Sequence, residues 1–160
     1  MAQKLLIALD SSEGAWHAVE YVGRTFGKTP EMEIIFGHIL SGLPPAFWDD
    51  GHILDEKERE QREQRKARWQ GEQEKRWQGL VDKARTRLTA AGFPADKISS
   101  LFKPKYYDVA EDLVSEALAQ GCDTIIMGRR GLGAAKSLLL GSVTNKVVQN
   151  SRGLAVTIVT

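Results

Sequence analysis

Five short apolar runs alternate with segments of helical periodicity along the 160-residue chain, and this alternation constrains the fold most strongly. The runs lie at 4–9, 34–40, 98–102, 124–128 and 154–159. Continuous apolar runs of this length are typical of strands that are buried on both faces. Because a helical segment separates each run from the next, the order predicts one α/β domain with a parallel sheet and helices on both faces.

The helical segments have recognisable ends. Asp10, Ser11 and Ser12 follow the first apolar run, and all three residue types are good helix N-caps, while Gly27 is a plausible stop. A third helix is expected over 106–120. The last helix ends near Asn150, and the sequence leaves two starting points open, near Ala134 or near Ser142.

The second helical segment is unusually charged. Residues 55–78 contain 8 basic and 7 acidic residues, and apolar residues recur at helical spacing only from Trp77 onward. We therefore expect a charged helical insertion, at about 43–78, with a solvated front half and a packed back half. Gly71 and Gly79 are positions where this helix could bend or break. The alternative is a partner-binding arm that presents Trp69 and Trp77 on roughly one face.

Composition excludes several classes of protein. The 22 basic and 21 acidic residues give a net charge of +1, which argues against a general nucleic-acid binder. No apolar run reaches the roughly 18 residues that a membrane span needs, and the N-terminus lacks the pattern of a signal peptide. Cys122 is the single cysteine, which is typical of a reducing cytoplasm. We expect its thiol to be inert.

A glycine-rich segment, Gly128-Arg129-Arg130-Gly131-Leu132-Gly133, follows the fourth apolar run. Ligands of open α/β sheets bind at the carboxyl ends of strands, where glycines let backbone N–H groups approach an anion closely. The segment fails the Walker pattern because Arg130 stands where its first glycine should be. It also fails the dinucleotide pattern, because Lys136 replaces the third glycine.

The spacing that does fit is Gly-x2-Gly-x9-Gly-Ser, formed by Gly128, Gly131, Gly141 and Ser142. Together with the strand end Ala8-Leu9-Asp10-Ser11-Ser12 and the His38-Ile39 pair, it resembles the ATP-binding branch of the universal stress protein family. The resemblance covers the whole chain. It implies a single Rossmann-like three-layer domain over residues 1–160, with a five-stranded parallel sheet in the order 3-2-1-4-5.

The resemblance also implies a site for ATP with Mg²⁺ or Mn²⁺, the ion being held by the phosphates. Asp10 and Ile39 are similar in position to the residues that meet adenine, and Ala8, Met127 and Gly128 to the wall beside the ribose. Phosphate positions, mostly backbone N–H groups, are implied at Gly131, Gly141, Ser142 and Val143. The remaining expected contacts are Ser11, Arg129, Arg130 and Gly133, with the two arginines directed either toward the phosphates or toward solvent.

The expected function is that of a nucleotide-dependent regulatory switch in the stress response, in the cytoplasm. We expect no enzymatic role, because the sequence positions no general base beside the phosphates. The final strand, Leu154–Thr160, predicts a homodimer through the sheet edge, with no nucleic-acid or membrane partner. Two alternatives stay open: a slow ATPase or autokinase, and an interaction module that works through the charged helix. His17, His38 and His52 lack metal-ligand spacing and are interpreted as structural or surface residues.

Overall fold

The strands and helices follow the predicted alternation. The computed structural model describes residues 3–29, 31–48, 50–131 and 140–160. Its strands are β1 (Lys4–Ala8), β2 (Glu33–Leu40), β3 (Ile98–Pro104), β4 (Thr124–Gly128) and β5 (Ala155–Val159). Its helices are α1 (Glu13–Phe26), α2 (Glu56–Ala90), α3 (Val109–Ala119) and α4 (Ser142–Asn150), and two short 3-10 turns lie at Pro45–Phe47 and Ala95–Lys97.

All five strands are parallel, and their order in the sheet is β3-β2-β1-β4-β5, which confirms the predicted topology. The register aligns the strand centres, so that Ile7 of β1 lies between Phe36 of β2 and Ile126 of β4. Because the strands are parallel, their carboxyl ends share one edge. The strand order reverses between β1 and β4, which is where an open α/β sheet opens a crevice for a ligand.

A hydrophobic core lies on each face of the sheet, which gives the three predicted layers. Alternate side chains of β1 point to opposite faces, so Leu5 and Ile7 join the core under α1 and α2, whereas Leu6 joins the other core. The second core contains Leu113 of α3 and Val147 of α4. This arrangement explains why β1 is apolar at successive positions, since both of its faces are covered.

The helix α2 has two different halves, as the charge pattern predicts. Its buried residues are Trp77, Val81, Ala84 and Leu88, all in the back half. The front half begins with a capping box, in which Asp55 accepts the Glu58 backbone N–H and the Glu58 carboxylate accepts that of Asp55. The helix is continuous through Gly71 and Gly79, so neither glycine breaks it.

One helix boundary in the sequence interpretation is wrong, and one of the alternatives that it left open is contradicted in part. The third helix begins at Val109 rather than Tyr106, because Asp108 caps it by accepting the backbone N–H groups of Ala110 and Glu111. Trp77 does not belong to an exposed partner-binding face, because only 4% of its surface is exposed and it packs in the core under α1 and α2.

Candidate functional site

A cavity of about 420 Å³ opens at the carboxyl edge of the sheet. It lies where β1, β2 and β4 end and where α3 and α4 begin, at the reversal of strand order. Ten of the residues that the sequence assigns to the site line it: Ala8, Asp10, Ile39, Met127, Gly128, Arg130, Gly131, Gly141, Ser142 and Val143. The sequence therefore brings these distant segments to one crevice.

The turn after β1 fixes the position of Asp10. Its Oδ1 accepts the Ser12 backbone N–H at 2.8 Å. Ser12 is the N-cap of α1, and its hydroxyl accepts the Ala15 backbone N–H at 3.1 Å. Ser12 also lines the cavity, whereas Ser11 is exposed and is not among the lining residues. The cap thus holds the Asp10 carboxylate at the mouth of the crevice.

Asp10 and Gly131 lie next to each other in the lining of the cavity. A Cβ atom added to Gly131 would lie 3.3 Å from Asp10 Oδ2. The absence of a side chain at Gly131 therefore keeps the space beside the carboxylate open, and places backbone from the β4–α4 segment close to it. Any side chain larger than alanine at this position would project into that space.

A glycine is required at position 128 for a different reason, which is the close approach of two backbone segments. A Cβ atom at Gly128 would lie 2.4 Å from the carbonyl carbon of Gly14, in the first turn of α1. A Cβ atom at Gly14 would in turn lie 2.6 Å from the Arg130 carbonyl oxygen. The end of β4 therefore crosses the start of α1 at backbone contact distance. Sequence reasoning did not identify Gly14, because its partner lies more than a hundred residues away.

The start of α4 forms another part of the cavity wall. Gly141 is the N-cap, it provides no side-chain cap, and its own N–H donates to the Arg129 carbonyl at 2.9 Å. The helix therefore begins at Ser142, which is one of the two starting points that the sequence left open. Ser142, Val143 and Thr144 all line the cavity from this first turn.

Thr144 is a site residue that sequence reasoning missed. It is 2% exposed, and its hydroxyl donates to the Gly128 carbonyl at 3.1 Å. This bond ties the first turn of α4 to the end of β4. The sequence offers only one signal for this residue, a threonine near the start of a predicted helix. That signal is weak without knowledge of its partner.

His38 also lines the cavity, although the sequence predicts only a structural or surface role for it. Its Nδ1 lies 3.1 Å from the Leu9 carbonyl oxygen, which also accepts the indole N–H of Trp77 at 2.8 Å. The imidazole stacks on Phe102 with 5.5 Å between ring centroids. Burial lowers the pKa of His38, while the Leu9 carbonyl and the Asp10 charge partly oppose this shift. The neutral, Nδ1-protonated ring is the form that fits these contacts.

The remaining predicted contacts are less central. Arg129 is not among the residues that line the cavity. Gly133 lies outside the described residues. The cavity wall is completed by residues that the sequence did not single out, and the lining includes Leu9, Ala15, Gly37, Ser41, Val109 and Leu113. Apolar and polar groups are therefore combined in one crevice, as is usual for small-molecule sites.

Other candidate chemistries have little support within the described residues. No group of three or more His, Cys, Asp or Glu side chains in that part of the chain could hold a metal ion. Burial raises the pKa of the Cys122 thiol to about 11, so it stays protonated at neutral pH, which fits the expectation of an inert thiol. Among the described helices, none is long and apolar enough to cross a membrane.

The fold and crevice define an α/β protein with a cavity at the switch point of its parallel sheet. The chain matches the universal stress protein family over residues 1–159, and it belongs to that family. It is similar to the universal stress protein YxiE of Bacillus subtilis, with 24% identity over 158 residues, covering 94% of this chain and 95% of that protein.

Solved structures show the same fold. The hypothetical protein MJ0577 is 26% identical, with a TM-score of 0.74, and the match covers 99% of this chain and 96% of that one. A universal stress protein in complex with cAMP is 20% identical, with a TM-score of 0.60, and the match covers 99% and 96% of the two chains. The second similarity supports the fold alone.

Proposed function

We propose that this protein binds ATP in the switch-point cavity and acts as a nucleotide-dependent regulatory switch in the stress response. The observation that carries the proposal is a cavity in which the Asp10 carboxylate lies beside Gly131 and which the first turn of α4 also lines. The cavity lining therefore combines a carboxylate acceptor, glycine backbone and a helix N-terminus. A related protein of the same fold was solved in complex with cAMP, another adenine nucleotide.

The charge distribution orients the proposed ligand. The Asp10 carboxylate would repel phosphates, so it suits hydrogen-bond donors of the adenosine, beside the apolar wall of Ile39 and Met127. Phosphates suit the first turn of α4 at Ser142 and Val143, because the helix begins without a side-chain cap and its first N–H groups and dipole favour an anion. The Gly141 N–H is engaged by the Arg129 carbonyl, so Gly141 contributes space rather than a donor. The glycine positions leave room for this approach, and a phosphate-held Mg²⁺ or Mn²⁺ would neutralise part of the charge.

The proposed role is binding rather than catalysis. The Asp10 Oδ1 is engaged by the Ser12 N–H, and the His38 Nδ1 by the Leu9 carbonyl, so the structural contacts of both residues are those of positioning groups. We propose a cytoplasmic homodimer paired through β5, because β5 is an edge strand of the sheet whose partner within the chain is β4. Light scattering on purified protein should then give twice the 17.8 kDa chain mass; the chain mass itself would refute this assembly.

Titration calorimetry of Gly131→Val tests the site. The valine side chain would occupy the space beside Asp10 Oδ2, which lies only 3.3 Å from an added Cβ atom. We expect ATP affinity to fall at least about tenfold, which corresponds to about 1.4 kcal/mol. Gly71→Val is the matched control, because nothing lies within 4 Å of an added Cβ atom there. Circular dichroism checks that both variants fold.

Two outcomes would contradict the proposal. If folded Gly131→Val binds ATP as tightly as the unsubstituted protein, the nucleotide is not held at this glycine. If freshly purified protein neither carries adenine nucleotide nor takes up added ATP, the proposed function itself is wrong. Sustained ADP release above a protein-free blank, lost in Asp10→Ala, would instead favour the slow ATPase.

A further inference from the structure

A second concavity of about 720 Å³ lies beside the nucleotide cavity and shares no lining residue with it. Successive residues at the end of β2 line the two sites in turn: Ile39 and Ser41 line the first, and Leu40 and Gly42 line the second. We name the second site the tryptophan groove. Its lining residues come from three segments, and they are Leu40, Gly42, Leu43, Trp48, Glu63, Lys66, Ala67, Trp69, Gln70, Pro104 and Lys105.

The aromatic walls of the tryptophan groove are held in place. The indole N–H of Trp48 donates to the Leu43 carbonyl at 2.7 Å, although 64% of this residue is exposed. Trp69 of α2 packs against the Phe47 ring, with 6.3 Å between centroids. The Arg62 guanidinium donates to the Phe47 carbonyl and so ties the same loop to α2. Each of the two indoles is therefore positioned by a contact within the protein, Trp48 in the loop and Trp69 on α2.

The charge of the groove favours an anion. Lys66 and Lys105 line it, against the single carboxylate of Glu63. Among the described residues neither ammonium group has an ion-pair partner, whereas Lys103 of β3 pairs with Glu116 at 2.6 Å. Two ammonium groups against one carboxylate, beside two indoles, make a site where a flat apolar body and a negative group are both accommodated.

We propose that the tryptophan groove binds a small planar aromatic anion, such as an aromatic carboxylate or sulfonate. The ring would lie against the indoles of Trp48 and Trp69, and the anionic group would lie near the ammonium groups of Lys66 and Lys105. The volume lies within the range of roughly 300–1,000 Å³ that is usual for small-molecule sites. This ligand is distinct from the nucleotide proposed for the first cavity.

A matched pair of fluorescent probes tests the proposal. 8-Anilinonaphthalene-1-sulfonate is an aromatic anion with a planar naphthalene ring, and N-phenyl-1-naphthylamine is its counterpart without the sulfonate. We expect the anion to bind at least about tenfold more tightly than the neutral probe, since one ion pair near a protein surface can supply that factor. Equal affinity for the two probes would overturn the assignment of an anion site.

Variants locate the bound probe. Lys66→Glu and Trp69→Ala should each weaken binding of the sulfonate about tenfold, because one reverses a charge and the other removes a wall. Lys75→Glu is the matched control: Lys75 is exposed on the same helix, and nine residues, or about two and a half turns, place it on the opposite face. Circular dichroism and thermal melts identify any variant that binds the probe through partial unfolding.

The result also separates the two sites. Gly131→Val should leave affinity for the sulfonate within about twofold, since that glycine does not line the groove. If Gly131→Val weakens probe binding as strongly as Lys66→Glu does, the probe occupies the nucleotide cavity and the groove proposal fails. Equal effects of Lys66→Glu and Lys75→Glu would overturn it as well. Lys66→Glu should retain ATP binding, so failure here leaves the proposed function standing.

Discussion

Glycines in two regions of this molecule have different structural roles. At the carboxyl edge of the sheet, Gly128 and Gly14 bring β4 and α1 into backbone contact, and an added Cβ atom at Gly128 would lie 2.4 Å from backbone. In the middle of α2, Gly71 and Gly79 have nothing within 4 Å of an added Cβ atom. The first pair is required by tertiary packing, whereas the second only lowers the helix propensity of an exposed segment.

The glycines of the Gly-x2-Gly-x9-Gly-Ser motif also differ from one another in their surroundings. Gly128 is fixed by its contact with α1, so its conformational role is structural whatever the cavity holds. Gly131 and Gly141 have looser surroundings, where added Cβ atoms would lie 3.3 Å from the Asp10 carboxylate and 3.4 Å from the Arg130 Cα. The later glycines of the motif are therefore the ones whose substitution tests ligand binding without a necessary loss of the fold.

The largest effect is expected for Gly128→Ala. Both the strand and the helix must move apart, because the atoms that the new methyl group meets belong to the backbone of Gly14. We expect the free energy of unfolding to fall by about 3 kcal/mol, at the upper end of overpacking costs. Urea unfolding measures it, with Gly131→Ala as the milder control. A smaller loss of unfolding free energy than that of Gly131→Ala would contradict this prediction, because it would show that β4 and α1 can accommodate the methyl group.

A smaller loss is expected for Trp77→Phe, which sharpens the contrast between the two halves of α2. The ring volume is largely kept, but the Leu9 carbonyl loses the buried indole N–H bond of 2.8 Å. The carbonyl keeps its contact with His38 Nδ1 at 3.1 Å, so the expected loss is that of one buried hydrogen bond, about 1 kcal/mol. Trp69→Phe is the matched control, because Trp69 is only partly buried in the front half. Equal losses for the two variants would contradict the division of the helix.

We expect stability to depend on pH through His38, whose ring also contacts the Leu9 carbonyl. Burial lowers the pKa of His38 below its ordinary value of 6.5, so the unfolded chain takes up a proton first as the pH falls. The contribution of His38 to stability is therefore full above about pH 6.5 and is lost as the pH falls toward the lower folded pKa. His38→Gln should flatten this part of the stability profile, whereas His17→Gln, at an exposed position, should not.

The contacts of His38 limit its effect on the pH dependence of stability. The Leu9 carbonyl and the Asp10 charge both raise the pKa of His38 and offset part of the effect of burial. The expected change is thus smaller than the loss for Trp77→Phe. A stability profile that is unchanged by His38→Gln between pH 7 and pH 5 would show that the offset is complete, and would contradict the prediction.

The sequence predicted the fold because its signals are local. Apolar runs such as 124–128 identify strands that are buried on both faces, and the alternation with helices restricts the topology. The site was predicted in part for the same reason, since strand ends and glycine spacing can be read along the chain. Contacts between distant segments were missed: Gly14 against Gly128, Thr144 on the Gly128 carbonyl, and Trp77 on the Leu9 carbonyl. Each of these depends on a partner that no local pattern reveals.

The smallest effect is expected for Gly79→Ala, and its sign is opposite to that of the others. The added methyl group meets nothing within 4 Å, and the residue lies inside the continuous helix α2. The substitution reduces the conformational freedom of the unfolded chain and improves helix propensity, so the free energy of unfolding should rise by about 0.5 kcal/mol. Urea unfolding of Gly79→Ala and Gly128→Ala compares the same substitution at two positions. We expect the two changes in the free energy of unfolding to have opposite signs. A destabilised Gly79→Ala protein would mean that α2 needs flexibility or close approach at this position, and the contrast between the two regions would fail.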